Sequence, residues 1–557
     1  MRSACRGEAF YMEHEGKRYC VLHFPGVDKK PAFDIAVKRK LNSNDFNFEG
    51  VWFPSQCRLT NLDIMEPVTF RSSVFEGGAF FNKTLFRNRV DFTDAIFNDI
   101  ARFEHTGFMM DVDFSSAIFQ KDADFREARF EGHANFWRCT FNGRAEFYSA
   151  VFRQTASFWP AIFNATALFS HASFARANFR ASEFKAKAVF GWCTFGYTEF
   201  TDASFSKDAD FFSASFGDKA YFAHATFANS ARFMMSEFNG EARFTSATFN
   251  EAIDFSHTIF KSLVGFSAEY GKGGFGSGAK LDFRHAQFET PRKVSFHSVT
   301  LRPHWFVNSD PREFQFIDVE WIGNLKRGYL DIEIGELKKR DELEEKEAAD
   351  KEFEHLRTAE QYDDKFTIER LQRAERKEGT ADADDRGHKQ TRFYRLLAIT
   401  CRQLAINAEE NHRYEEASRF RYWAMDARRL EKWRGFAFWS LSWWYWAASG
   451  YGERIFRASL MLLGVWLVFA WLYTQVSFAR PPTSLMDESN AVAKRMESEE
   501  MRGLPRALTY SFGVITLQKP DPRPETMEAQ TLVTLETVLG PLQAALLALA
   551  IRRRFMR

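Results

Sequence analysis

Charge of one sign is missing from this chain. Its 75 Lys and Arg meet 74 Asp and Glu, a formal net charge of +1. That balance argues against a face or tail devoted to nucleic acid. Cysteine is scarce, with six in 557 residues, and Cys5, Cys20, Cys57, Cys139, Cys193 and Cys401 show no disulfide-framework spacing. The first apolar run is short and surrounded by charge, so no signal peptide is expected. There is no G-x-x-x-x-G-K-[ST] phosphate loop, and the Gly-rich EYGKGGFGSGAK does not supply one. No nucleophile motif and no pair of carboxylates in a credible cleft can be found. An enzyme is therefore the least expected class.

What the chain has instead is phenylalanine, 63 residues of it. In ADFREARFEGHANFWRCTFNGRAEFYSAVF, Phe falls at 125, 130, 136, 141, 147 and 152, in steps of five, six, five, six. Extended both ways, the ruler marks 41 positions from 48 to 266, all Phe except Leu59 and Ile64. A small residue sits two before most of them, as at Ala123, Ala128, Ala134, Cys139, Ala145 and Ala150. Neither a helix (period 3.6) nor an ordinary strand (period 2) asks for this spacing, so it marks an internal repeat. Each step reads as one side of a solenoid coil, with the bulky and the small residue pointing inward. The sixth residue is missing between Phe174 and Phe179, and again between Phe195 and Phe200, four sides later. Four sides per coil stack these two deletions on one corner of adjacent coils. The expectation is a coil of about 22 residues, and about ten coils at roughly 4.8 Å each. Cys57, Cys139 and Cys193 take the small inward position and are expected to be buried thiols.

The spacing F-x-x-A-x-F resembles the pentapeptide-repeat family over about 220 residues. The resemblance implies an all-β right-handed quadrilateral β-helix. Some members of that family mimic DNA and inhibit topoisomerase, a role that needs a strongly acidic face. Between residues 48 and 266 there are 21 Lys and Arg against 25 Asp and Glu, which disfavours it.

Five regions follow from the remaining sequence. Residues 1–45 precede the rod as a cap, either a small zinc knuckle built on Cys5, Cys20 and His23 or a β-hairpin with a coincidental Cys-x-x-His. Residues 46–322 are the β-helix, with weakly ruled last coils marked by Phe283, Phe288, Phe296, Leu301, Phe316 and Trp321. Residues 323–388 are a charged helix and a linker. Residues 389–432 read as an α-helical hairpin turning at NHRY, with Tyr414, Ala417, Phe420 and Ala424 on one face. Residues 433–557 are an α-helical membrane domain. It contains an interfacial helix (433–453), a first span (458–478), a re-entrant half-helix (503–518) and a second span (531–551) carrying Glu536 and Pro541.

Arg454 and Arg457 flank the first span and an arginine cluster follows the second, which expects both termini on the cytoplasmic side of an inner membrane. The order helix, half-helix, helix resembles the two-transmembrane pore domain of potassium-type channels, and ALTYSF followed by V-I-T resembles their pore helix. KPDPRP stands where that family's Gly-Tyr-Gly filter would be, so potassium selectivity does not carry over. The resulting expectation is a homo-oligomeric pore, a tetramer by the resemblance, lined by Tyr510, Ser511, Thr516, Gln518 and Glu536. The cytoplasmic rod would bias it in response to a protein or ligand. The alternative is a membrane-anchored interaction scaffold without a pore. No nucleic-acid partner is expected, and the only cofactor considered is structural zinc.

Overall fold

The structure is a computed structural model. It describes residues 9–268, 274–276, 278–322, 330, 333–339, 383–432, 440–478 and 503–555. Most of the charged stretch at 336–377 lies outside these residues, as does the start of the interfacial segment. The chain divides into two compact units, 1–329 and 330–557.

The first unit opens with an antiparallel hairpin, β1 (Phe10–His14) and β2 (Lys17–Cys20), followed by helix α1 (Lys30–Asn42). The hairpin was expected, the helix was not. Its apolar signal is thin, with Phe33 and Ala36 as the buried apolar anchors. Phe33 meets Phe53 edge to face at 5.5 Å, and Trp52 N–H donates to the Leu22 carbonyl at 3.0 Å. The segment thus closes the first coil, whose aromatic end and backbone would otherwise be bare.

The body is a parallel-strand β-solenoid of about 12 turns. Ile96 pairs with Ile118 and Ala101 with Ala123, a step of 22 residues. Two ladders of 11 strands each form two sides, and a 20-stranded sheet wraps the other two. The phenylalanines stack in columns, Phe97 on Phe119 and Phe103 on Phe125 with centroids 4.7 Å apart and rings nearly parallel. Neighbouring columns meet edge to face, as Phe114 meets Phe125 at 5.5 Å. Both geometries suit the ring quadrupole.

Small inward residues let the backbone turn beside each ring. Several of the Thr and Cys residues that replace Ala bring a donor that finds an acceptor one coil back. Thr106 Oγ1 donates to Phe81 O at 2.8 Å, Cys139 Sγ to Phe114 O at 2.8 Å and Cys193 Sγ to Phe169 O at 2.8 Å. Burial pushes the Cys57 thiol up to about 12 and raises Cys139 and Cys193 as well. These are inert structural thiols.

The two kinds of corner differ in backbone. Each five-residue side places one residue at positive φ, as in Ser72, Lys83, Asp94, His105, Ser116 and Glu127, one every 11 residues. A positive φ costs a non-glycine residue roughly 1–3 kcal/mol, yet stacking against the coils on either side holds it there. The corner at Pro160 departs from this, since the ring fixes φ negative. At the two shortened corners the strand pairing continues around the turn. Strands Ser173–Asn178 and Thr194–Glu199 bend together, with Ala175 and Arg176 both outward between inward Phe174 and Ala177, and they pair side by side, Phe174 with Phe195 and Ala177 with Thr198. The preceding coil retains its extra residue and absorbs it as a bulge between Phe152 and Thr155. The deletions do stack on one corner, as their spacing requires.

The second unit is helical. Helices α2 (Ala383–Glu410) and α3 (Tyr414–Lys432) form the expected hairpin, with a tight turn at Asn411–Arg413. Two details differ from the sequence reading. Residues 383–388, read as linker, are helical, because once the stripe from Phe393 to Ala408 is fixed, adding turns costs little. Tyr414 is 38% exposed at the first position of α3, and the buried face runs instead through Ala417, Phe420, Trp423, Ala424 and Ala427. Helix α4 (Leu441–Ser449) follows, then α5 (Ile455–Gln475), α6 (Leu504–Ile515) and α7 (Met527–Phe555). Helices α5 and α7 are long and apolar enough to cross a membrane.

Candidate functional site

Helix α7 presents a narrow inward stripe with a seven-residue repeat, Ala529, Glu536, Gln543 and Ala550, all buried. That period keeps one seam against neighbouring helices. Two of its four members are polar, and each joins other elements.

Glu536 is fully buried. Its Oε2 accepts from Tyr473 Oη of α5 at 2.5 Å, and its Oε1 accepts from the Ser511 hydroxyl of α6. Ser511 Oγ also lies 3.2 Å from the Trp466 carbonyl, but it has one proton and the carboxylate is the stronger acceptor. Tyr510 packs edge to face on Tyr473 at 5.1 Å and on Phe478 at 5.2 Å. One carboxylate therefore ties both spanning-length helices to the half-helix between them. A second tie fixes α6 to α5, where Trp466 Nε1 donates to Leu508 O at 2.9 Å. Backbone that stops partway through an apolar layer is tolerated where protein covers it. The buried face of α6, Ala507, Tyr510, Ser511, Gly513 and Val514, provides that cover.

Gln543 works at the other end of the stripe. Its Nε2 donates to Ala448 O and Ala458 O, both at 2.9 Å, clamping the turn between α4 and α5. The turn itself, Gly450-Tyr451-Gly452, has positive φ at all three residues. It is the meeting point of the helical hairpin and the spanning-length helices. Arg553 of α7 donates to Tyr451 O at 2.9 Å and pairs with Glu453 at 3.1 Å. Glu453 accepts from Ser418 of α3, and Trp446 Nε1 donates to Tyr422 Oη at 3.2 Å. Burial, with the nearby Asp426 carboxylate, raises the Tyr451 phenol above its ordinary value.

Of the residues singled out in the sequence, Tyr510, Ser511 and Glu536 come together. Thr516 and Gln518 stand apart and exposed at the end of α6, where Thr516 Oγ1 donates to Phe512 O at 2.8 Å and Gln518 N–H to Gly513 O at 2.8 Å. Sequence reasoning missed Tyr473, Trp466 and Gln543 as partners. Tyr473 near a span's end reads as an interfacial anchor and Trp466 at mid-span as apolar bulk, and hydropathy carries no sign of a hydrogen-bond partner.

At the other end of the chain, Cys20 Sγ lies 3.0 Å from His23 Nδ1, and His23 Nε2 meets the Glu49 carbonyl at 2.8 Å. Cys5 lies outside the described residues. Among the described residues no three potential ligands gather to hold a metal ion.

The four-sided parallel solenoid, with its Phe columns and small inward partners, defines the class of the first unit. Residues 108–151 and 222–268 match the family model for pentapeptide repeats (9 copies). The chain thus carries pentapeptide repeats in its first unit, and its second contains two helices of membrane-spanning length and composition. No curated protein and no solved structure matches it.

Proposed function

We propose that this protein is a membrane-embedded, homo-oligomeric, channel-like pore whose opening is biased by a cytoplasmic pentapeptide-repeat rod. The observation that carries this reading is the half-helix α6, seated between two spanning-length helices and held by the buried Glu536–Ser511–Tyr473 cluster. An ionisable group at such a position is costly and marks a functional site by default. The Gly450-Tyr451-Gly452 turn supports the gating half of the proposal, because it links the helical hairpin to both spanning-length helices. In the resulting topology the ends of α5 and α7 at this turn face the cytoplasm, and α6 enters from the opposite side.

Reconstitution into liposomes tests the proposal. The oligomer is expected to pass small ions, and Glu536→Ala is expected to abolish the flux. An intact oligomer that passes nothing overturns it.

A second reading, a membrane-anchored scaffold without a pore, is favoured by one observation. The Glu536 carboxylate is sealed inside a single copy rather than presented to an open path. Replacing residues 433–557 with an unrelated two-span anchor separates the two, since a scaffold keeps its activity and a pore loses it.

A further inference from the structure

The solenoid surface is polar and mixed in charge over most of its length, but not throughout. One corner column reads Asn82-Lys83, Glu104-His105 and Arg126-Glu127 in three successive coils. Over the next five coils it becomes Tyr148, His171, Trp192, Phe212 and Met235. Tyr148 meets His171 at 5.3 Å, His171 stacks flat on Trp192 at 5.2 Å, and Trp192 meets Phe212 at 5.0 Å. Tyr148, Trp192 and Met235 are 46%, 51% and 48% exposed. Beyond them the column returns to Ser256-His257 and Arg284-His285.

The side that follows this corner changes in the same coils. Its outward ladder runs Arg129, Val151, Ser173, Thr194, Ser215, Glu237. Four uncharged residues lie between a cation and an anion. Beside Val151 stands the exposed Arg153, but in the next three coils Ala175, Gly196 and Gly217 leave the surface flat, and a Cβ at Gly196 would lie 2.2 Å from the Ala175 carbonyl oxygen. These are also the coils shortened by the two deletions. Departure from the repeat and loss of charge along the ladder therefore coincide.

We propose that this flat face, with its uncharged ladder, is where a second copy of the same chain docks, rod against rod and antiparallel. The ladder is what selects a second copy. A twofold axis between the Ser173 and Thr194 coils places the uncharged stretch on itself and sets Arg129 opposite the partner's Glu237, twice per interface. Glu237 already pairs with Lys261 within its own chain, so the partner's Arg129 would extend an existing charge pair. A near-neutral rod adds no long-range repulsion, and apolar surface rimmed by polar residues marks such contacts. The inference is independent of the pore reading, since a scaffold could pair its rods in the same way.

Site-directed cross-linking of the full chain in its membrane provides the test. Ser173→Cys is expected to give dimers with a short bismaleimide. Glu183→Cys, on another side of the solenoid, is expected to give none. Both variants carry Cys5→Ser, and the remaining Cys20, Cys57, Cys139, Cys193 and Cys401 are buried and serve as a silent background. Arg129→Glu in the Ser173→Cys chain should lower the dimer fraction roughly tenfold, because symmetry counts each charge pair twice. Adding Glu237→Arg should restore it. No dimer at position 173, or equal dimer at 183, overturns the proposal, as does a charge reversal that has no effect. Capture of a different protein at position 173 without self-dimer also overturns it.

Discussion

A single ring in the ladder is shared by the coils on both sides. Phe125 lies 4.7 Å from both Phe103 and Phe147, stacked on each. Phe125→Ala opens a cavity that neither neighbour can fill without leaving its own column. The expected loss is about 3–5 kcal/mol, read as a local rise in amide exchange across those coils. Lys29 shows the opposite kind of residue. It is wholly buried in the cap, donates to Leu22 O at 2.9 Å and lies over the Phe33 ring. Burial lowers its amine from 10.5 to about 7. Between those values the unfolded cap holds a proton that the folded cap has released, so stability rises with pH across that window. Below about 7 the cost of burying the charge is fully present. Exchange protection of α1, corrected for intrinsic rate, is expected to grow from pH 7 to pH 9. Lys29→Met should flatten that slope, and an unchanged slope would show that another group is responsible.

Elements differ in how far their partners can be read from sequence. The solenoid strands were legible because the ruler that names the inward residues also sets the coil length, down to the paired deletions after Phe174 and Phe195. The half-helix was legible as an apolar run too short to span. Its seat was not, because it depends on which faces of three apolar helices meet. Gly540 illustrates this: a Cβ there would lie 2.8 Å from Ile515 Cγ1 and 3.3 Å from Ile515 Cα. In sequence it only precedes Pro541, yet in the structure it is where α6 rests on α7. Gly540→Leu is expected to unseat α6 at a cost of about 1–3 kcal/mol, the usual penalty of overpacking. Lower thermal stability in detergent and new protease cleavage near Gly503 would report it. Helix α1 was missed for a related reason, since two anchors in 13 residues make no period and its helicity depends on the coil it covers.

At the scale of the whole molecule, a solenoid is a sum of coils and their nearest-neighbour contacts. Its tolerance of change should therefore follow the arithmetic of the ruler rather than the size of the change. Removing residues 75–96 takes out one 22-residue coil and joins Val74 to Phe97. Five- and six-residue sides still alternate, Phe119 then stacks where Phe97 stood, and the shortened corners downstream keep their mutual pairing. The variant is expected to fold with the same cooperativity, shorter by one coil spacing of roughly 4.8 Å. Removing only residues 104–108 is a far smaller edit, but it brings two six-residue sides together. Every later side is then turned by a quarter relative to the coil before it, so five-residue corners with their positive-φ residue lie over six-residue corners, and the backbone ladders fall out of register at the junction. That variant is expected to lose protection on both sides of the junction, although it keeps 17 more residues of the native chain. Circular dichroism and amide exchange of the two proteins decide the matter, and equal damage from both deletions would mean that the rod is not the nearest-neighbour structure its repeat implies.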